Sequence, residues 1–180
     1  MSPQKVLLIH GSLGSAWNFW KTKRALAARG HEVLAVNYGK LGLARYPQCV
    51  AEVRQQVINK IGHKNTHQWT IVGHSLGGMI GATLAEEMPF RRVIGLGACF
   101  RGLPPLRMMR TDLKDQANFP DLHSAKAELV SVVSSHDEVV PPYTSIIPEY
   151  LGHTYRVWGY SHTQLPNLPM IPDLVEREYE

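Results

Sequence analysis

Six short stretches of this chain are almost wholly apolar, and they alternate with segments whose apolar positions recur at helical spacing. Lys5 to His10 is a continuous apolar run, the pattern of a strand buried on both faces. Ala16 to Arg29 reads as a helix stopped by Gly30, and Glu32 to Tyr38 as a second strand. Cys49 to Ile61 places Val50, Val53, Val57 and Ile61 on one helical face. The β-branched run beginning at Trp69 predicts a third strand, and Gly78 to Met88, closed by Pro89, a helix. Arg92 to Cys99, Glu128 to Ser134 and Thr154 to Trp158 complete six strands. A short helical piece is expected around Tyr143 to Leu151 and a last helix from Met170 to Glu180. Phe100 to Lys126 carries Pro104, Pro105 and Pro120 and reads as irregular.

Alternation of strands and helices implies a mostly parallel sheet of about six strands covered on both faces, an α/β fold of three layers, α/β/α. Its right-handed crossovers restrict the topology, and functional loops should gather at the carboxyl ends of the strands. One domain is expected over 1–180, with 100–127 as a short insert and no repeat.

Composition narrows the function. An apolar content of 44% over 180 residues supports a real core, and no run is long or apolar enough to cross a membrane. The chain begins Met-Ser-Pro-Gln-Lys and enters a strand at once, so no signal peptide is visible and a cytoplasmic location is expected. Cys49 and Cys99 make no disulfide framework and read as small buried hydrophobes. A net charge of +4, scattered rather than striped with aromatics, argues against nucleic acid and leaves a mild attraction for anions. Metal chemistry has no motif behind it, and no cofactor is called for. Gly95 and Gly97 lack the G-x-G-x-x-G spacing, and the loop after His10 lacks the lysine of a P-loop.

One pentapeptide stands out. Gly73-His74-Ser75-Leu76-Gly77 is a G-x-S-x-G placed between a predicted strand and a predicted helix, the context of a nucleophile elbow. Ser75 would sit on a strained turn, and Gly73 and Gly77 would let strand and helix approach closely. A serine nucleophile needs a base, and the base a carboxylate. His162 is the preferred base among nine histidines because it follows the last strand. His153 lies at the wrong end of that strand, and His74 is expected to point away from the site. His31, His63, His67 and His123 read as surface residues. Asp137, just after the fifth strand, is the preferred acid, with Glu138 as rival. Backbone amides of Leu76 and Ser12 would form an oxyanion hole, with Leu13 the alternative donor to Ser12.

His10-Gly11-Ser12-Leu13-Gly14, Gly73 to Gly78, Asp137-Glu138-Val139-Val140-Pro141 and Ser161-His162 together resemble the α/β-hydrolase superfamily, and within it the small lidless bacterial lipases and esterases. The serine, acid and base also come in that superfamily's chain order. The resemblance implies a Ser75 nucleophile, Asp137 orienting acid and His162 base, with Ser12 and Leu76 as oxyanion donors. It departs in lacking a large cap domain, since only the insert stands there. Leu13, Trp17, Phe19, Leu103, Leu106, Met108 and Met109 are candidates for an acyl groove, though each also suits ordinary packing. The expected substrate is a small-molecule ester, with no stable membrane insertion. A thioesterase or esterase working on an acyl group borne by an acyl carrier protein is the alternative, and a non-catalytic binding protein of the same fold a third.

Overall fold

The computed structural model describes residues 2–102, 112 and 115–179. Within them six strands form one sheet: β1 (Lys5–Ile9), β2 (Glu32–Val36), β3 (Trp69–His74), β4 (Arg92–Leu96), β5 (Glu128–Ser134) and β6 (Gly152–Val157). All neighbours pair parallel, in the order β2-β1-β3-β4-β5-β6. From β1 the chain winds outward to β2, then returns to the other side of β1 and continues as β3. The direction of winding therefore reverses between β1 and β3, and a crevice opens beyond the carboxyl ends of those two strands. That is where the loop after Ile9 and the elbow at Ser75 meet.

The alternation of side chains along each strand builds a core on either face of the sheet. Leu7, Ile9 and Ile71 face a cluster completed by Val53 and Val57 of α2 (Tyr46–Lys60) and Met79, Ile80 and Leu84 of α3 (Leu76–Glu87). Val6, Leu8, Val72 and Ile94 face the opposite way, against Phe19, Leu26 of α1 (Trp20–Ala28), and Leu174 and Val175 of α5 (Ile171–Glu176). Every residue of the largely apolar β3 and β4 is buried, whereas β2 and β6 are half-exposed edges. Cys49 and Cys99 are free and buried.

Several boundaries move, each for a local reason. The first helix opens as a 3-10 turn, Ala16–Phe19, because Ser15 and Asn18 form a reciprocal capping box. Helix α2 starts at Tyr46 rather than Cys49, since Pro47 falls in the first turn, where its missing N–H costs nothing. Helix α4 is only Pro142–Ser145, the chain turning extended at Ile146 ahead of Pro148.

The last helix ends at Glu176, short of the expected Glu180, because its terminal carbonyls are taken by another group. Arg92, at the start of β4, is 1% exposed. Its guanidinium donates to Glu128 Oε2 at 2.7 Å and to the carbonyls of Leu174, Val175 and Arg177 at 2.8, 3.1 and 2.7 Å. It also lies over the ring of Tyr179, 4.5 Å from the centroid. A buried cation so fully partnered ties the sheet to the end of the chain. Arg92→Met should destabilise the fold by about 3 kcal/mol, and Arg92→Lys should recover only part of that, because an ammonium cannot reproduce the planar fork. Urea midpoints of the two variants check both expectations.

Candidate active site

The elbow forms as its glycines require. Ser75 adopts φ 54 and ψ −121, a conformation forced on a non-glycine residue, and its N–H donates to the Leu96 carbonyl at 3.0 Å. A Cβ on Gly77 would lie 2.1 Å from the Ile9 carbonyl oxygen, so any other residue there would push α3 off β1. Ser75 occupies the N-cap of α3, where serine commonly bonds back to the first turn, yet its side chain makes no capping bond. The hydroxyl is left to face the crevice. Leu76 is the first residue of α3, and its N–H is among the first-turn amides that helical geometry leaves without an internal acceptor.

Across the crevice lies the loop after β1. His10 Nδ1 donates to the Gly11 carbonyl at 2.8 Å, and its ring stacks on Tyr38 with centroids 4.4 Å apart. Leu13 takes φ 59, which lets the loop double back so that the Gly14 N–H reaches Gly11 O at 3.2 Å. Following β2, Lys40 and Leu41 are also left-handed, at φ 49 and 65, in the turn Gly39–Gly42 that packs on this loop. The four non-glycine residues with positive φ among the described residues are Leu13, Lys40, Leu41 and Ser75, and all belong to the crevice or its support.

Asp137 and His162 enter from the carboxyl ends of β5 and β6. Asp137 Oδ2 lies 2.8 Å from His162 Nδ1, both side chains being nearly enclosed. Its other oxygen accepts the N–H groups of Val139 and Val140 at 3.0 and 2.7 Å. The carboxylate is thereby fixed and its charge spread over three bonds. The pair is seated against Gly97, at φ 53, where a Cβ would fall 2.8 Å from Asp137 Oδ2. Glu138, the rival acid, accepts the backbone N–H of His162 through Oε2 at 3.0 Å.

Ser75, His162, Leu76, Ser12 and Leu13 line one cavity of about 360 Å³, together with His74, Cys99 and Val139. With Asp137 bonded to His162, the structure thus brings six of the sequence candidates together. Two others go elsewhere. Phe19 is fully buried among Val6, Leu8 and Leu26, because the capped 3-10 turn aims it at the sheet. Trp17, on the opposite side of that turn, is 77% exposed and lies in a separate groove with Trp20, Lys23 and Arg24. Leu103, Leu106, Met108 and Met109 lie outside the described residues.

Two histidines also depart from expectation. His31 is buried, its ring held between the Gln4 N–H at 3.0 Å and Glu176 at 2.9 Å. His74 does not point away: its Nε2 lies 3.0 Å from the His162 carbonyl, and the two rings tilt together at 4.4 Å. Burial, reinforced by the neighbouring His162, pushes the His74 pKa down to about 3. Its place beside Ser75 was the only sequence cue to this role.

A family model for the α/β hydrolase fold matches residues 5–131. Among curated proteins, methylesterase 1 of Arabidopsis thaliana is 33% identical over 94 residues, 48% of this chain and 35% of that protein. A putative carbamate hydrolase, RutD, of Variovorax paradoxus is 31% identical over 94 residues, with the same shares of 48% and 35%. The match thus spans about a third of the length of these relatives. The ydeN gene product of B. subtilis superposes with a TM-score of 0.73 over 96% of this chain and 97% of that one, at 22% identity, a likeness of fold. With the family model spanning four of the six strands, the start of β5 and the elbow, the chain belongs to the α/β-hydrolase family.

Proposed function

We propose that this protein is a serine ester hydrolase in which Ser75 is the nucleophile, His162 the general base and Asp137 the group that orients the base. The observation that carries this is the 2.8 Å Asp137–His162 bond in a cavity that also holds Ser75 at the tip of a strained elbow. Asp137 accepts at Nδ1, so the neutral imidazole carries its proton there and offers the Nε2 lone pair to Ser75. Ser75 Oγ attacks the ester carbonyl carbon while Nε2 takes the hydroxyl proton. The resulting oxyanion is met by the Leu76 and Ser12 amides, with the N-terminal end of α3 favouring negative charge at that point. Collapse expels the alkoxide, which leaves as an alcohol with the proton from Nε2. A water then repeats the sequence on the acyl-serine and frees the acid.

Esterase chemistry is also the activity in the name of the Arabidopsis relative, whose match covers 48% of this chain. The lining side chains Leu13, Leu76, Cys99 and Val139 are apolar, and a volume of about 360 Å³ suits a short to medium acyl group.

Ser75→Ala, His162→Ala and Asp137→Asn should each lower kcat on a nitrophenyl ester by at least about 10⁴-fold, because the three groups act as a unit. A fluorophosphonate should label the protein at Ser75 alone. Labelling elsewhere, or a Ser75→Ala variant with full turnover, would overturn the assignment. A parallel panel of acyl thioesters separates ester from thioester preference. Gly97→Ala should cost on the order of 10²-fold in kcat, because the new methyl displaces Asp137 from His162. It should also lower stability by about 1 kcal/mol through its left-handed backbone. Steady-state kinetics beside a thermal melt reads both effects.

A further inference from the structure

The ring of His162 is oriented by Asp137, and its backbone is gripped separately at both ends. Glu138 Oε2 accepts its N–H at 3.0 Å, and His74 Nε2 lies 3.0 Å from its carbonyl oxygen. A carbonyl only accepts, so His74 is the donor and carries its proton on Nε2. The two gripping residues are the chain neighbours of the other two groups, His74 preceding Ser75 and Glu138 following Asp137. Elbow, acid loop and base loop are therefore cross-linked by side chains as well as by the reacting groups.

Accepting the Ser75–Asp137–His162 assignment above, we infer that His74 and Glu138 are positioning residues that hold the backbone of the base, and so set where its Nε2 meets Ser75. His162 sits on the loop after β6, a half-exposed edge strand, where sheet packing alone restrains the chain weakly. Its own turn is closed by a Ser161–Gln164 capping box, which shapes the turn without fixing it to β3 or β5. Upstream, the loop is tied to the end of β5 by Ser134 Oγ, which donates to the Tyr160 carbonyl at 2.5 Å, and by the Gly159 N–H, which donates to His136 Nδ1 at 3.1 Å. On His162 itself, the bonds to Glu138, His74 and Asp137 join it to the loop after β5 and to β3.

The electrostatics of the two differ. His74 is enclosed and stays neutral near pH 7, so it does not oppose the proton that His162 accepts 4.4 Å away. Glu138 meets the His162 N–H with a carboxylate oxygen, a charge-assisted bond that holds the backbone more firmly than a neutral acceptor would. Among the described residues, the charged and titratable groups beside His162 include Asp137 and Glu138 from the loop after β5 and His74 from β3, with Cys99 lining the same cavity. His10, near His74 at the end of β1, is itself held below its ordinary pKa by burial.

The test is kcat and KM, measured separately, on a nitrophenyl ester for His74→Phe, His74→Gln, Glu138→Gln and Glu138→Ala, each with a thermal melt. His74→Phe keeps a ring but removes the donor, and should lose on the order of 10²-fold in kcat with KM unchanged. His74→Gln, whose amide nitrogen can reach the same carbonyl, should regain most of that loss. Glu138→Ala should lose on the order of tenfold in kcat with KM unchanged, and Glu138→Gln, whose amide oxygen can still accept the His162 N–H, should keep most of the activity. Wild-type kcat in His74→Phe, equal losses in His74→Phe and His74→Gln, or equal kcat in Glu138→Ala and Glu138→Gln would overturn the inference. Ser75→Ala, run alongside, separates the two levels. Its full activity would sink the assignment of the reacting groups, whereas an inert Ser75→Ala beside an unaffected His74→Phe sinks the positioning role alone.

Discussion

The close approach of α3 to the end of β1 and β3 governs this site. Gly73 and Gly77 leave no side chain between helix and strands, so the chain must reverse within one residue, and that residue is Ser75 at φ 54. A non-glycine residue held there stores about 1–3 kcal/mol of strain, which the structure sustains because the flanking segments are rigid. Every residue of β3 is buried between β1 and β4, and nine of the twelve residues of α3 are buried too. The strain cannot relax without moving the centre of the core. Its consequence is a hydroxyl that does not cap its own helix and stands next to Leu76, the first residue of α3.

Everything else in the crevice is arranged around that fixed point by the reversal of winding between β1 and β3. Because β1 lies beside β3 in the sheet, the loop after Ile9 faces the elbow although more than sixty residues separate them in the chain. Asp137 and His162 approach from the other side, on loops after β5 and β6. They need the left-handed backbone of Gly97, with no Cβ, to pass close to the end of β4. The charge chemistry is economical: one fully bonded carboxylate, one imidazole in contact with it, and a second imidazole kept neutral by burial.

How much of this was legible in the chain depends on which forces act locally. The strands were legible because burial on both faces demands unbroken apolar runs, and the elbow because close packing demands glycine at fixed spacing around Ser75. Helix ends were less so: the final helix stops at Glu176 because Arg92, more than eighty residues earlier, bonds its carbonyls. Phe19 and Trp17 look alike as apolar candidates for a groove. The handedness of one capped turn, set by Ser15 and Asn18, sends the first into the core and the second to solvent.

His74 and Glu138 show the same limit within the site itself. A residue next to Ser75 on an extended strand is expected to point away from the site, yet His74 lines the same cavity and meets His162, brought there by β6. The sequence by itself determined the sheet, the elbow and the order of serine, carboxylate and histidine, because periodicity and glycine spacing are local demands on the chain. Only the tertiary structure decided which carboxylate meets the ring, which histidine stays neutral beside it, and which apolar residues reach the cavity. Those outcomes depend on burial and on contacts between loops distant in the chain, and no local pattern encodes them.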